Sequence, residues 1–187
     1  SDTNLYFTGD VVQLSSGALS AVGNIAAVQS SAVANLNPIL GIFAGCEFFS
    51  PSVGRVIWSS FFPGNLGNSS TPCNAYIIED PNQLFLVQAS TTAVMGTSVI
   101  GLNVQFSCSG VGGFGASSGG NQTTGVSNVC LTSTSVTVSG SLPFRIVDTT
   151  SNYAPPGTNG ADGTTAGAIM VVGFNNQLRR SLTGAST

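Results

Sequence analysis

The chain has 187 residues, of which 42% are hydrophobic, and this composition excludes a disordered protein. Only 6% of its residues are charged, against roughly 25% in ordinary soluble domains, and four Arg without any Lys cannot build the basic surface that nucleic acid or an anionic membrane requires. Because the chain has neither His nor Lys, it also lacks the groups on which Ser–His–Asp hydrolases, Schiff-base enzymes and P-loop proteins depend.

Short clusters of β-branched and aromatic residues, separated by Gly and Pro, predict strands along the whole chain. The predicted strands cover residues 11–14, 39–49, 55–60, 75–79, 84–88, 101–108, 129–131, 135–138, 142–147 and 168–174. The segment 84–87 reads LFLV, without a polar alternate, so this strand is expected to be buried on both faces. The pattern predicts an all-β fold: a single-domain antiparallel β-sandwich or barrel of the jelly-roll kind, with long Gly/Ser-rich loops.

Four segments depart from the strand pattern. Residues 18–36 are Ala-rich and long enough for a helix, but their Val, Ser and Gly content leaves a loop equally open. Residues 95–102 could hold a short turn, so at most one short helix is expected. The Gly-rich segments at about 109–125 and 152–167 are expected to be flexible excursions from one domain that spans residues 1–187.

Four cysteines stand without a close pairing motif, at Cys46, Cys73, Cys108 and Cys130. They favour small buried free thiols, although one or two disulfides remain open and three pairings of all four are possible. Zinc is not expected, because the chain has no His and no paired Cys spacing. No other metal, cofactor or catalytic residue is predicted.

The remaining chemical candidates have simpler structural interpretations. Glu47, Glu79 and Asp80 could supply an acid and a base, but the sequence Glu79-Asp80-Pro81-Asn82 favours a turn between two strands. Trp58 lies in an aromatic cluster that predicts a core position, and an exposed contact surface is the alternative.

The middle of the chain carries a family resemblance. Residues 37–47 read NPILGIFAGCE and resemble the G-V-F-A-G-C-E strand of a family of tailed-bacteriophage head proteins, which a GDVV-like strand precedes, here at 9–12. Similar segments follow in the family's order at 58–64, 75–82, 84–89, 123–127, 142–147 and 171–179. The closing segment departs from the family pattern, because Gln177 stands where the family often has a His.

The resemblance implies a β-rich virion protein: a decoration or cement protein on the capsid exterior that binds the major capsid protein. We expect it to associate with itself, as a trimer, and to need neither nucleic acid nor membrane. Assembly in the reducing cytoplasm of a bacterial host agrees with unpaired thiols. Contacts with the capsid or with neighbouring subunits are expected at Tyr6, Phe7, Trp58, Phe114, Asn176 and Arg179.

Three other functions compete with this hypothesis. A carbohydrate-binding or adhesive β-sandwich surface module would be favoured by a solvent-exposed Trp58 in a groove or by specific hits on a glycan array. The shell protein of a small virus is disfavoured, because the chain has no basic arm for a genome. A glycosidase would need Glu47 and Glu79 about 5–9 Å apart in a cleft.

Overall fold

The computed structural model describes residues 5–14, 25–27, 38–64, 73–90, 94–107, 120–150 and 167–180. Within these ranges the regular structure is β-strand, apart from one turn of 3-10 helix at Thr97–Val99. The predicted all-β fold is therefore confirmed.

The strands follow the clusters of β-branched and aromatic residues. They are β1 (Tyr6–Phe7), β2 (Val11–Leu14), β3 (Ile25–Ala27), β4 (Gly41–Ser50), β5 (Arg55–Ser59), β6 (Phe61–Phe62), β7 (Cys73–Ile78), β8 (Leu84–Gln88), β9 (Asn103–Ser107), β10 (Gly120–Asn121), β11 (Val126–Ser127), β12 (Cys130–Thr137), β13 (Phe144–Thr149) and β14 (Ile169–Phe174).

The first sheet is built around the long strand β4, in the order β3-β2-β4-β5 with β7 added to β4. Ile42 of β4 pairs with Val11 of β2 and with Ile78 of β7. Further along β4, Cys46 pairs with β5 on one side and with β7 on the other. Strands β2 and β5 therefore follow each other along one edge of β4, and β7 runs along the opposite edge.

The second sheet has five antiparallel strands in the order β12-β9-β13-β14-β8. Its first and last strands approach each other at one isolated bridge, between Ala89 and Leu131, where the Ser90 N–H also donates to the Leu131 carbonyl at 2.8 Å. One bridge does not close a barrel. The described strands thus form a sandwich-like arrangement, and the barrel alternative is not supported.

Two apolar cores lie on opposite faces of the first sheet. The central core joins this sheet to the second one through Val11, Ile39 and Ile42. Within it the Phe144 ring stacks on Phe174 and meets Phe106 edge to face. The lateral core lies on the other face of β4, where it contains the following side chains: Tyr6, Val12, Phe43, Cys46, Phe48 and Phe62. Each such ring or aliphatic side chain contributes about 1.5–3 kcal/mol when it is fully buried.

Several sequence expectations are corrected at the level of single elements. Ile25–Ala27, inside the segment left open as helix or loop, forms a strand that pairs with β2. The two predicted strands at 129–131 and 135–138 are one strand, β12, with a register shift inside it. Strand β8 has the predicted bounds, but its outer residues Leu84 and Leu86 are exposed, so the expectation that both faces are buried is wrong.

The two predicted excursions fall mainly outside the described residues. Residues 109–119 and 152–166 are not among them. Gly120–Gly125, at the end of the first excursion, forms a packed hairpin instead: Gly120 lies against the Phe7 ring, and Gly125 lies against Ser60. A Cβ at either glycine would meet a neighbour at less than van der Waals distance, so this hairpin needs both glycines.

Candidate interaction surfaces

The face of the first sheet that bears Ile42 extends beyond the central core and there carries an exposed apolar surface, here called the aromatic face, made of Phe49, Val56, Trp58, Tyr76 and Ile78. The strand register brings these residues together: Trp58 on β5 lies opposite Glu47 on β4, and Val56 lies opposite Phe49. Each of the five side chains is exposed by more than a third. The lateral core fills the reverse side of the same strands.

The Trp58 indole lies over Gly45 of β4, and this position depends on the absence of a side chain at that glycine. Gly45 occupies a register shift of β4 and has a φ of 127°, a conformation that other residues rarely adopt. A Cβ on Gly45 would come within 2.9 Å of the indole. Trp58 is nevertheless 60% exposed, so its predicted core position is wrong and the alternative, an exposed aromatic surface, is the observed one.

Polar groups interrupt the aromatic face near its middle. Glu47 is half-buried between Trp58 of β5 and Asn74 of β7, its two cross-strand neighbours. The Tyr76 hydroxyl hydrogen-bonds to Glu47, and this bond raises the pKa of Tyr76 above its ordinary value. The face therefore presents an indole, a carboxylate, an amide and a phenol side by side.

The outer face of the second sheet carries another apolar surface, here called the leucine face, made of Leu84, Leu86, Val147 and Ile169. Strand β8 supplies both leucines, and Leu86 is 70% exposed. Gly173 of β14 pairs with Leu84, and the side chains of Leu84 and Val147 approach each other over this glycine. The surface is thus continuous across three strands.

The leucine face has a signal in the sequence, the apolar run LFLV at 84–87, but this pattern predicts burial within one chain and not a contact surface. Residues 84–87 have no polar alternate, and this pattern was interpreted as burial on both faces within one chain. In the structure Phe85 and Val87 point to the central core, while the two leucines point outward.

Residues 175–180, which include the predicted contact residues Asn176 and Arg179, bond extensively within their own chain. The Asn175 amide donates to the carbonyls of Gly140 and Leu142 at 3.0 and 2.8 Å. The Asn176 amide donates to the Ser141 carbonyl at 3.0 Å. These bonds fasten the end of β14 to the turn that precedes β13.

The following residues fasten the same segment to the first sheet. The buried Gln177 amide donates to the carbonyls of Leu40 and Glu79, at 3.1 and 2.7 Å. Arg179 forms an exposed ion pair with Glu79. Arg180 donates to the Phe174 carbonyl and to the side-chain oxygen of Asn82, both at 3.1 Å.

The predicted contact residues thus have different environments. Tyr6 and Phe7 are fully buried, because β1 pairs with β6 and the Tyr6 ring packs against Phe43 and Phe62. Both side chains are therefore absent from the surface of the chain. Trp58 is exposed, Asn176 and Arg179 bond internally, and Phe114 lies outside the described residues. The structure does not bring the six residues together.

The carboxylates of Glu47 and Glu79 do not converge in the described part of the chain. Glu47 pairs with Asn74, and Glu79 lies five residues further along the same chain segment, about 16 Å away at the rise of a strand. The Asp80 turn is confirmed, since the Asn82 N–H donates to the Asp80 carboxylate at 2.9 Å. No group of three His, Cys, Asp or Glu side chains among the described residues could hold a metal ion.

Two neighbouring pockets, of about 230 and 350 Å³, open beside Val126, Ser127 and Val129. The smaller one reaches the central core at Ile42 and Phe144, and the larger one has amide and hydroxyl groups from Asn121, Thr124 and Asn128. Neither pocket is lined by a carboxylate or an arginine. They offer shape and hydrogen bonds, without an acid–base pair.

The fold and these surfaces define the class of the protein: all-β and sandwich-like, with two exposed apolar faces. No helix of the described residues is long and apolar enough to cross a membrane. No protein-family model, no curated protein and no solved structure matches the chain.

Proposed function

We propose that the protein is a structural, non-enzymatic component of a tailed-bacteriophage head that decorates the exterior of the major capsid lattice and stabilises it. The observation that carries this proposal is the leucine face. Strand β8 is apolar on both sides, yet its outer leucines are uncovered in the single chain. Exposed apolar surfaces of this kind mark sites of association between proteins.

The presence of two apolar faces supports two kinds of contact. The leucine face lies on the outer side of the second sheet, and the aromatic face lies on the first sheet, beyond the central core. One face can join copies of the chain in a trimer, while the other meets the capsid subunits. A trimer engages several capsid subunits at once, so modest individual affinities multiply through effective concentration.

The low charge supports the same proposal. With 6% charged residues, the contacts rest on apolar burial and on hydrogen bonds from hydroxyl and amide groups. At ionic strengths of about 0.10–0.15 M, salt largely screens interactions between exposed charges that lie more than about 8–10 Å apart. It leaves apolar and hydrogen-bonded contacts nearly unchanged. Capsid binding is therefore expected to persist at high ionic strength.

Gradient-purified particles of the phage that encodes the chain provide the direct test. Quantitative mass spectrometry should find the protein at a copy number comparable to that of the major capsid protein. Stripped particles should rebind the wild-type protein and should lose most of this binding with Leu86→Ser or Trp58→Ser. Val138→Ser is the matched control, because Val138 is 81% exposed and lies on neither face.

The proposal predicts a specific pattern among these results. Retained binding of Val138→Ser together with lost binding of either face variant supports it. Absence of the protein from particles, or removal of bound protein by moderate salt, contradicts it.

A second candidate function rests on the polar centre of the aromatic face. The Trp58 indole is exposed beside Glu47, Asn74 and the Tyr76 hydroxyl. A sugar ring can stack its C–H face on an indole while its hydroxyls bond to a carboxylate and an amide. The protein would then be a carbohydrate-binding surface module.

A glycan array separates the two functions. Specific hits that Trp58→Ala abolishes and Leu86→Ser retains would favour carbohydrate binding. A blank array together with stoichiometric capsid binding would favour decoration.

A further inference from the structure

Cys46 and Cys73 lie as neighbours on adjacent antiparallel strands. Cys46 of β4 pairs with Ala75 of β7, and Phe48 of β4 pairs with Cys73. The two cysteines are therefore diagonal cross-strand neighbours on the same face of the sheet, and both contact the lateral core. The two thiols shift each other's pKa in opposite directions, the Cys46 thiol lies within 3.7 Å of the Phe61 carbonyl, to which it donates, and both cysteines are free.

We propose that Cys46 and Cys73 form a redox-active pair that closes to a disulfide when the reduced protein meets a low-molecular-weight disulfide such as oxidised glutathione. Diagonal cross-strand neighbours lie at about 7–8 Å, with a somewhat shorter Cβ separation, and a disulfide needs a Cα separation of about 4.4–6.8 Å. The closure therefore requires a small shift. Cys73 can make it, because it is the first residue of β7.

The two thiols have different environments, which suit different roles. Cys73 is partly exposed, and the hydrogen bond from Cys46 lowers the pKa of the Cys73 thiol. Cys46 is buried, and the same hydrogen bond together with burial raises the pKa of the Cys46 thiol. Because the thiolate is the reactive form, Cys73 is the attacking group.

The reaction proceeds in two exchanges. The Cys73 thiolate attacks one sulfur of oxidised glutathione, forms a mixed disulfide and releases one glutathione thiolate. Cys46 then loses its proton, attacks the Cys73 sulfur and releases the second glutathione. The protein loses two protons and two electrons, and one oxidised glutathione takes them up to become two reduced molecules.

The disulfide would tie β4 to β7 and close the chain segment between residues 46 and 73. This segment contains β5, which carries Trp58 and Val56 of the aromatic face. Closing a loop of this kind stabilises the fold chiefly by constraining the unfolded chain. This thiol chemistry belongs to the chain itself and does not depend on the proposed function.

The two glutamates of the chain allow proteolysis to separate Cys46 from Cys73. Cleavage after Glu47 and Glu79 gives fragments 1–47, 48–79 and 80–187, which place Cys46 and Cys73 in separate fragments and leave Cys108 and Cys130 together in the third. The reduced full-length protein is incubated with graded mixtures of oxidised and reduced glutathione. Free thiols are then alkylated under denaturing conditions, and the digest is examined by mass spectrometry without reduction.

We expect fragments 1–47 and 48–79 to appear as one disulfide-linked species, and the oxidised protein to melt several degrees above the reduced protein. Cys130→Ser should leave this linkage intact, whereas Cys73→Ser, at a partly exposed site, should abolish both the linkage and the shift in melting temperature. A linkage to fragment 80–187 instead, a stable glutathione adduct on Cys73, or four alkylated thiols after oxidation would each overturn the proposal. The wild-type digest alone decides the question if a variant fails to fold.

Discussion

Asp10 is the buried carboxylate that links the N-terminal strands to the β10–β11 hairpin. One carboxylate oxygen accepts the Phe7 N–H at 2.8 Å, and the other accepts the Ser127 hydroxyl at 2.5 Å. Burial raises the pKa of Asp10 to about 6, since the two hydrogen bonds only partly offset the loss of hydration. Between about pH 4 and 6 the folded protein therefore holds a proton on Asp10 that the unfolded chain releases.

We predict that the protein gains stability as the pH falls from 7 towards 4. The pKa of Asp10 is about 6 in the folded state and 3.8 in the unfolded chain, so between these values the folded state binds more protons and its stability decreases as pH rises. The contribution is roughly 3 kcal/mol at 1.36 kcal/mol per pKa unit. Melting temperatures measured from pH 4 to 8 should show this slope.

Asp10→Asn should flatten the same profile, because an amide can donate to Ser127 and accept from Phe7 without titrating. Asp80→Asn is the control, since Asp80 is exposed in a turn and its replacement should leave the slope intact. An unchanged slope in Asp10→Asn would assign the pH dependence to other groups.

Gln177 illustrates how one neutral side chain connects the two sheets. Its buried amide donates to the carbonyls of Leu40, before β4, and of Glu79, after β7. We predict that Gln177→Leu leaves both carbonyls unpaired and lowers the free energy of unfolding by about 1–3 kcal/mol. Urea titration measures the loss, and Gln122→Leu, at an exposed turn position, should stay within about 0.5 kcal/mol of wild type.

At the scale of elements, the strands were predictable where local chemistry ends them. Strand β8 has its predicted bounds because the Asp80 side chain and carbonyl cap the preceding turn through the N–H groups of Asn82 and Gln83. Whether the outer face of β8 is buried within the chain could not be predicted, because a run such as LFLV does not tell which surface covers it. A continuous apolar run has the same pattern whether the cover is its own chain or another one.

Other elements depend on long-range pairing that no local pattern contains. Tyr6–Phe7 is a two-residue strand whose partner, Phe61–Phe62, is far away in the chain. Both rings are buried through that pairing, since Tyr6 joins the lateral core and Phe7 stacks on Phe61 and lies against Gly120. Ile25–Ala27 became a strand through the register of β2, in a composition that was equally open to helix or loop.

Gly45 determines the shape of the aromatic face. Its φ of 127° marks the register shift in β4, and the Trp58 indole lies over it. We predict that Gly45→Ala strains the backbone by about 1–3 kcal/mol and displaces the indole. Thermal unfolding and tryptophan fluorescence, which reports on Trp58 alone in this single-Trp chain, should both change.

Gly54→Ala separates backbone strain from the indole contact. Gly54 also has a positive φ, of 72°, but a Cβ there would meet nothing within 4 Å. This variant should lose stability and keep the wild-type emission spectrum. A spectrum shifted equally in both variants would mean that the Gly45–Trp58 contact does not position the ring.

At the scale of the whole molecule, amides and hydroxyls take the place that ion pairs occupy on most protein surfaces. The ion pair of the described residues joins Arg179 to Glu79 on the surface, where such pairs contribute about 0–1 kcal/mol. Arg145 bonds to the neutral side chains of Asn103 and Asn175 instead. A surface with so little charge has weak electrostatic repulsion between copies, and its exposed apolar faces can therefore meet.

We predict that the purified protein associates with itself through the leucine face and that salt barely changes this equilibrium. Sedimentation velocity over a range of concentrations should detect a species larger than the monomer, a trimer under the proposed function. Its dissociation constant should stay within about threefold between low and moderate salt, because few charges are available to be screened. Burial of Leu86 supplies the driving force, at about 25 cal/mol per Å² of apolar surface removed from water.

Leu86→Ser should weaken this association at least tenfold, since it replaces the most exposed leucine of the face with a group that favours water. Val138→Ser changes an equally apolar and even more exposed side chain outside the face, and so it should associate like wild type. Trp58→Ser tests which face joins the copies. If its self-association equals that of wild type, the aromatic face is free to bind the capsid or a sugar. If its self-association is weakened, the copies associate through the first sheet. A monomer at every concentration would remove the leucine face as the contact between copies, because the uncovered outer side of β8 would then be stable in water without a partner.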